Sequence, residues 1–176
     1  MMGTRSGSID PGILVYLLRE KGLDADQLDH ALNYESGLLG VSGISSDMRQ
    51  VLAALPDNPD ARLAVDMYVH RIRQTVGAMA ATLGSVDALV FTAGVGEHAA
   101  AIRERVCENL GYLGLALDRT ANEGCQPDAD IALPASTSRI LVIATREDVT
   151  MVRETWRLLS RSEGRSRGRR CPCASQ

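Results

Sequence analysis

Four short stretches of this sequence hold residues whose types and spacing could do chemistry. In residues 91–98 (FTAGVGEH) an apolar run passes into two glycines and then into a helix-forming segment. Glycines at such a junction let a ligand approach the backbone, and the first amides of a following helix favour phosphate. A plain tight turn would explain the same glycines. In residues 2–12 (MGTRSGSIDPG), Arg5 stands among glycines in a segment too polar for a core. A guanidinium so placed can grip carboxylate or phosphate oxygens as a fork. In residues 43–49 (GISSDMR), capping accounts for Ser46 and Asp47, and solvation for Arg49. In residues 143–149 (IATREDV), the acidic pair Glu147 and Asp148 could serve Mg²⁺ or complement a helix dipole, and the local pattern favours the dipole.

A competing pattern overlaps the first stretch. Gly94, Gly96 and Ala99 fit a dinucleotide fingerprint, with Asp118 about twenty residues on. That fingerprint sits early in a βαβ unit, whereas here a helical block precedes it and no run of alternating strands follows.

The elements that must position these residues can be read from caps and periodicity. Asp10-Pro11 starts a helix that runs to about Glu20, with Ile13, Leu14, Leu17 and Leu18 as its apolar face. A short helix follows over residues 25–32, then a glycine-punctuated apolar loop over 38–44. Ser46 caps a helix that Pro56 ends. Asn58-Pro59 starts a long helix to about Leu83, with Leu63, Met67, Ile72, Val76, Met79 and Leu83 in helical register and Gly84 as its stop. Residues 87–93 (DALVFTA) read as a strand covered on both faces, residues 94–96 as a turn, and the next segment as a helix to about Leu110 with Gly111 at its end. Residues 131–133 and 140–144 read as two further strands. Thr145 and Asp148 form a capping box for a last helix with Val149, Val152, Trp156 and Leu159 on one face. The pattern is α/β, with few strands for so much apolar helix surface.

Composition narrows the function class. The chain has 176 residues, 45% of them hydrophobic and 3% aromatic, so it has a core built on aliphatic side chains. Net charge is −3, with residues 161–176 carrying +4 and the remainder −7. A mildly acidic body argues against nucleic acid as partner. Cys107 and Cys125 lie far apart, and Cys171 and Cys173 form a CPC pair whose spacing is poor for zinc. No disulfide framework is evident, which points to a reducing cytoplasm. No stretch approaches the ~20 apolar residues of a membrane helix, so no membrane is expected. Residues 161–176, rich in Arg, Ser and Gly, read as a disordered tail.

Taken together and in order, GTRSG-IDPG, SGISSDMR and FTAGVGE resemble the acetate kinase family, from about Met2 to Leu159. That family belongs to the superfamily of sugar kinases, actin and heat-shock chaperones. The resemblance implies that residues 1–160 are an incomplete C-terminal ribonuclease-H-like, nucleotide-binding portion. It implies reversible phosphoryl transfer between ATP and acetate, with Mg²⁺ as cofactor and a homodimer in the complete enzyme. By the same resemblance Arg5 is catalytic, beside the transferred phosphoryl group. Asp47, Met48, Arg49, Gly94, Val95, Gly96, His98 and Arg103 bind nucleotide, and Glu147 is associated with the metal. Three positions depart from the family pattern: Ser8 and His98, where Asp and Asn are usual, and Arg146, where Asn is usual. The family's N-terminal half, with a second arginine, a catalytic aspartate and histidines, has no counterpart in the sequence. The chain is therefore expected to be a fragment or half of a split enzyme, inactive alone. The alternatives are a non-catalytic nucleotide-binding or subunit-interface piece and, within the enzyme class, a propionate or butyrate kinase.

Overall fold

A computed structural model describes residues 1–166, and side chains through Ser160. It divides into a unit spanning Met1–Ile143 and a second unit that opens at Ala144.

The first unit begins with an irregular segment and a helical block. α1 (Pro11–Glu20) starts as expected, with the Asp10 carboxylate accepting from the Gly12 N–H at 2.6 Å. α2 (Ala25–Tyr34) has a reciprocal cap: Gln27 N–H donates to Asp24 at 2.8 Å and Asp24 N–H to the Gln27 side chain at 3.0 Å. The expected loop after it is instead a helix, α3 (Gly37–Ser42). Its glycines suggested a break, but the irregular segment supplies the missing partners. Carbonyls of Met2, Gly3 and Thr4 accept from the N–H groups of Leu38, Leu39 and Ser36. Gly37 has φ 67°, and a side chain there would run into the carbonyls of Met2, Gly3 and Arg5.

α4 (Met48–Ala53) is capped by Asp47 rather than Ser46. α5 (Pro59–Leu83) runs between the expected caps, with the Asn58 side chain accepting from Asp60 and Ala61 and with Gly84 at φ 80°. Its buried face matches the predicted one only at Ile72 and Val76, which pack half-buried against the core. Ala61, Ala64, Val65, Val69 and Ala80 are buried, whereas Leu63, Met67, Met79 and Leu83 are exposed. Small residues let α5 lie close against α3 and α4, and they outrank the larger side chains as core formers.

Three strands form one sheet in the order β1-β3-β2. β1 (Ala88–Phe91) runs parallel to β3 (Arg139–Val142) with Phe91 opposite Val142, and β2 (Ala129–Asp130) runs antiparallel to β3. β1 is not covered on both faces. Phe91 is buried but Val90 is 50% exposed. The physical reason is position: β3 flanks β1 on one side, and a groove of about 600 Å³, lined in part by Tyr68, Ile72, Leu89 and Val90, lies against it.

After β1 come α6 (Ala93–His98), α7 (Ala100–Cys107), a 3₁₀ turn (Gly111–Leu113) and α8 (Arg119–Glu123). The expected turn at residues 94–96 is thus helical, and α7 ends at Cys107 rather than near Leu110. Gly111 opens the 3₁₀ turn, which Gly114 closes at φ 76°. Val51, Val65, Val106, Ile140 and Val142 are fully buried and join the helices to the sheet in one core.

In the second unit, α9 (Glu147–Ser166) continues past the expected boundary at residue 160, since no Pro and no Gly before Gly164 interrupts it. Val149, Val152, Trp156 and Leu159 are exposed. The rest of the expected tail, residues 167–176, lies outside the described residues. No helix among the described residues is long and apolar enough to cross a membrane.

Candidate functional site

Two of the four stretches meet at one cleft. The loop into α4 and α4 itself contribute Ser46, Asp47, Met48, Arg49 and Leu52; α6 and its end contribute Gly94, Val95, His98 and Ala99. The cleft encloses about 480 Å³. Six of the eight expected nucleotide residues therefore line it: Asp47, Met48, Arg49, Gly94, Val95 and His98.

The α4 wall is organised by a local ion pair. Asp47 accepts from the Arg49 N–H at 2.9 Å, from Arg49 Nε at 3.1 Å and from Nη2 at 2.6 Å. One carboxylate thus caps the helix and fixes the guanidinium, using Nε and Nη2 and not Nη1. The Arg49 side-chain hydrogen bond, helped by the Arg49 backbone N–H, holds the Asp47 carboxyl below the usual range. The same bond raises the Arg49 guanidinium above its ordinary value. Arg49 is exposed, and Met48 behind it is buried.

The α6 wall is different. Ala93, not a glycine, takes the left-handed conformation at its start, with φ 59°. Gly94 lies in the helix with nothing within 4 Å of where a Cβ would stand, so its backbone is open to the cleft. Gly96 does not line this cleft. Its absent Cβ would sit 3.3 Å from the Phe91 carbonyl carbon, so this glycine seats α6 on the end of β1. A side chain there would crowd the Phe91 backbone, and no positive φ is involved; Gly96 lines the groove beside β1 instead.

Arg103 is also not at the cleft surface. It is 2% exposed. Nη1 donates to the carbonyls of Gly96 (2.9 Å) and Glu97 (2.8 Å), Nη2 to the Asn122 carbonyl (2.8 Å) and Nε to Asn122 Oδ1 (2.7 Å). These acceptors are all neutral. Burial lowers the Arg103 guanidinium, yet an arginine starts so far above neutrality that it stays charged. Burial likewise pushes the neighbouring Cys107 thiol up to about 12. Arg103 supports the α6 wall from behind and is not among the residues that line the cleft.

Arg5 is exposed on the segment that caps α3, and it lines neither the cleft nor the groove beside β1. Its neighbour Gly3 packs on Ser46, 3.1 Å from the Ser46 carbonyl to where a Cβ would stand, so this segment is fitted against the loop that carries Asp47. Ser8 lines the β1 groove together with Thr92, Val95 and Gly96. Glu147 is exposed at the start of α9, in the second unit, with Asp148 beside it. No cluster of three metal-ligating side chains occurs among the described residues. The pair offers hard carboxylate oxygens, which fit an ion such as Mg²⁺ that keeps most of its shell for water and phosphate. Asp118, the acid of the dinucleotide fingerprint, caps α8 by accepting from Ala121 N–H, and the glycines lie inside a helix, so that reading does not hold.

Sequence reasoning missed Leu52 and Ala99 on the cleft walls and Asn122 behind them. Leu52 follows Met48 at helical spacing and was findable; Asn122 had no local signal.

With this geometry in view, comparison with known proteins is specific. The model of the acetokinase family matches residues 1–153. An acetate kinase of Gloeobacter violaceus is 55% identical over 162 residues, covering 92% of this chain and 40% of the relative. Among solved structures, the acetate kinase of Porphyromonas gingivalis superposes with a TM-score of 0.84 at 43% identity, over 90% of this chain and 40% of that one. A propionate kinase of Francisella tularensis gives 0.75 at 39% identity, over 83% and 37%. The chain thus spans about 40% of the length of the relatives it matches. The helix-rich unit with its small mixed sheet is a partial domain of the sugar kinase, actin and heat-shock chaperone architecture, as the motifs implied.

Proposed function

The chain belongs to the acetokinase family, and from that premise we propose that it is the adenine-nucleotide-binding part of a carboxylate kinase. One observation carries the reading: two motifs about fifty residues apart in sequence converge on a single cleft, with Asp47 to Arg49 on one wall and Gly94, Val95 and His98 on the other. A cleft of this size with an apolar lining and a few polar groups at its mouth suits a heteroaromatic base with its ribose. Met48, Leu52 and Val95 supply apolar surface, the Arg49 guanidinium can stack on a flat ring, and Asp47 and His98 offer hydrogen bonds.

In the whole enzyme the reaction would be an in-line displacement. A carboxylate oxygen of acetate attacks the γ-phosphorus of ATP, the bond from that phosphorus to the bridging oxygen breaks, and ADP leaves as acyl phosphate forms. Catalysis of this kind is mostly positioning and neutralisation of charge. Arg5 would brace the equatorial oxygens of the transferred group. Glu147 would hold Mg²⁺, which supplies charge neutralisation on the phosphates when bound. The relatives include acetate and propionate kinases, and acetate is the substrate we assign. A homodimer of the whole enzyme, in the cytoplasm, completes the proposal.

The chain alone is expected to bind nucleotide without turnover, because its relatives bring more than twice its length to the reaction and a broken catalytic set loses activity non-additively. Two measurements test the proposal. Hydroxylamine trapping should detect no acyl phosphate with the lone chain; turnover near that of an intact kinase would overturn this part. Gly94→Leu should fold normally, since its side chain enters open space, but should block ADP in a calorimetric titration. Undiminished ADP affinity would remove the cleft from the account.

A further inference from the structure

We propose that Asn122 is a positioning residue for the nucleotide wall, acting through Arg103; the functional part of this inference rests on the cleft reading above. α6 is six residues long, too short to hold its shape unaided. It hands over to α7 at Ala99, a residue that has no side-chain group with which to cap a helix. What fixes this joint comes from α8. Asn122, 1% exposed, grips it in two places. Its Nδ2 donates to the Ala100 carbonyl at 3.0 Å, in the first turn of α7. Its Oδ1 accepts from Arg103 Nε, and its backbone carbonyl accepts from Arg103 Nη2. Arg103 then carries the connection to the carbonyls of Gly96 and Glu97, directly before His98 and Ala99 of the cleft.

Asn122 is itself anchored. Its N–H donates to the Asp118 carbonyl at 2.9 Å, Asp118 caps α8, and the Asp118 N–H donates to the Ile131 carbonyl at 2.9 Å. A continuous set of hydrogen bonds thus runs from the chain beside β2 to the α6 wall. The residue type follows from the task. Only a side chain with an acceptor and a donor on one short stem satisfies both the guanidinium and the Ala100 carbonyl. Aspartate can do the first but not the second, and alanine neither. No buried side-chain polar atom among the described residues lacks a partner, so removing this amide creates the first.

Amide hydrogen exchange on the full chain, without nucleotide, tests the clamp directly. Exchange across residues 95–104 should rise in the order wild type, Asn122→Asp, Asn122→Ala, by about tenfold at the end of the series, while β3 and α5 stay at wild-type rates. Wild-type exchange of residues 95–104 in the variants, or an equal rise in β3 and α5, would overturn the proposal. Should Asn122→Ala not fold, Asn122→Asp decides alone: acceleration confined to the start of α7 supports it and none refutes it. A parallel ADP titration separates the two claims. Where the wild-type chain binds ADP, Asn122→Ala should weaken it about tenfold and Asn122→Asp less. A wild-type chain that binds no ADP removes the cleft reading, while the exchange result still decides the clamp.

Discussion

On one wall of the cleft, Asp47 and Arg49 hold each other across two residues of chain, in the open. On the other, Gly94 to His98 are held from behind by Arg103 and by Asn122, a further nineteen residues along the chain and fully enclosed. Both arginines belong to the same set of expected nucleotide residues, yet they do opposite work. Arg49 presents a charge to whatever enters the cleft and contributes little to the fold, because an exposed pair is screened by water. Arg103 is enclosed behind the other wall and holds the carbonyls of Gly96 and Glu97. The contrast teaches that a motif arginine can serve a site through backbone geometry, with its charge spent on main-chain carbonyls.

If this contrast is right, substitutions behind the α6 wall act on stability and through it on binding, and those on the α4 wall act on binding alone. The largest effect is expected for Arg103→Leu. It leaves the carbonyls of Gly96, Glu97 and Asn122 and the Asn122 amide oxygen without their donor, at a cost of about 3–5 kcal/mol in a urea melt. A loss under ~1 kcal/mol would mean that the buried set is slack. Next is Gly96→Val, which pushes α6 off Phe91 and costs about 1–3 kcal/mol; ADP affinity should fall with stability here, unlike Gly94→Leu, where affinity falls alone.

Smaller again is Arg49→Ala. It should leave the thermal transition where it is and weaken ADP binding by several-fold; an altered melt with intact binding would exchange the roles assigned to the two walls. The smallest effect is that of acid. The Arg49 side-chain hydrogen bond holds the Asp47 carboxyl below the ordinary aspartate range, so the stability it gives is present at neutral pH and is lost as pH falls through the lower folded value. An NMR titration of the Asp47 carboxyl should therefore show its midpoint at lower pH in the wild-type chain than in Arg49→Ala. Equal midpoints would show that Arg49 does not hold it.

How much of this was legible in the sequence follows the same division. Caps two or three residues long announced α1 and α5, since Asp10-Pro11 and Asn58-Pro59 carry their own chemistry. Asp47 and Arg49 stood out for the same reason, though Ser46 was given the cap that Asp47 makes. α3 was hidden because its N-terminal amides are satisfied by Met2, Gly3 and Thr4, more than thirty residues upstream. The buried face of α5 was misread because Leu63 and Met67 have more apolar area than Ala61 and Ala64, while close helix packing selects for small size. β1 was read as covered on both faces from its apolar run alone, but which strand flanks it is a long-range fact. Gly96 drew notice for its type, but its close packing on Phe91 could not be read without the fold. Arg103 was found by resemblance, and its partner Asn122 could not be found without the fold.

The central claim is that two walls, one self-contained and one held from behind, form a single nucleotide site. The most direct measurement is an amide chemical-shift map of the chain titrated with ADP. The account predicts shifts at residues 46–49 and 94–99 that follow one binding curve, with smaller shifts at Arg103 and Asn122 on the same curve. Shifts confined to one wall, two walls titrating with different affinities, or perturbation centred on the groove beside β1 would contradict it.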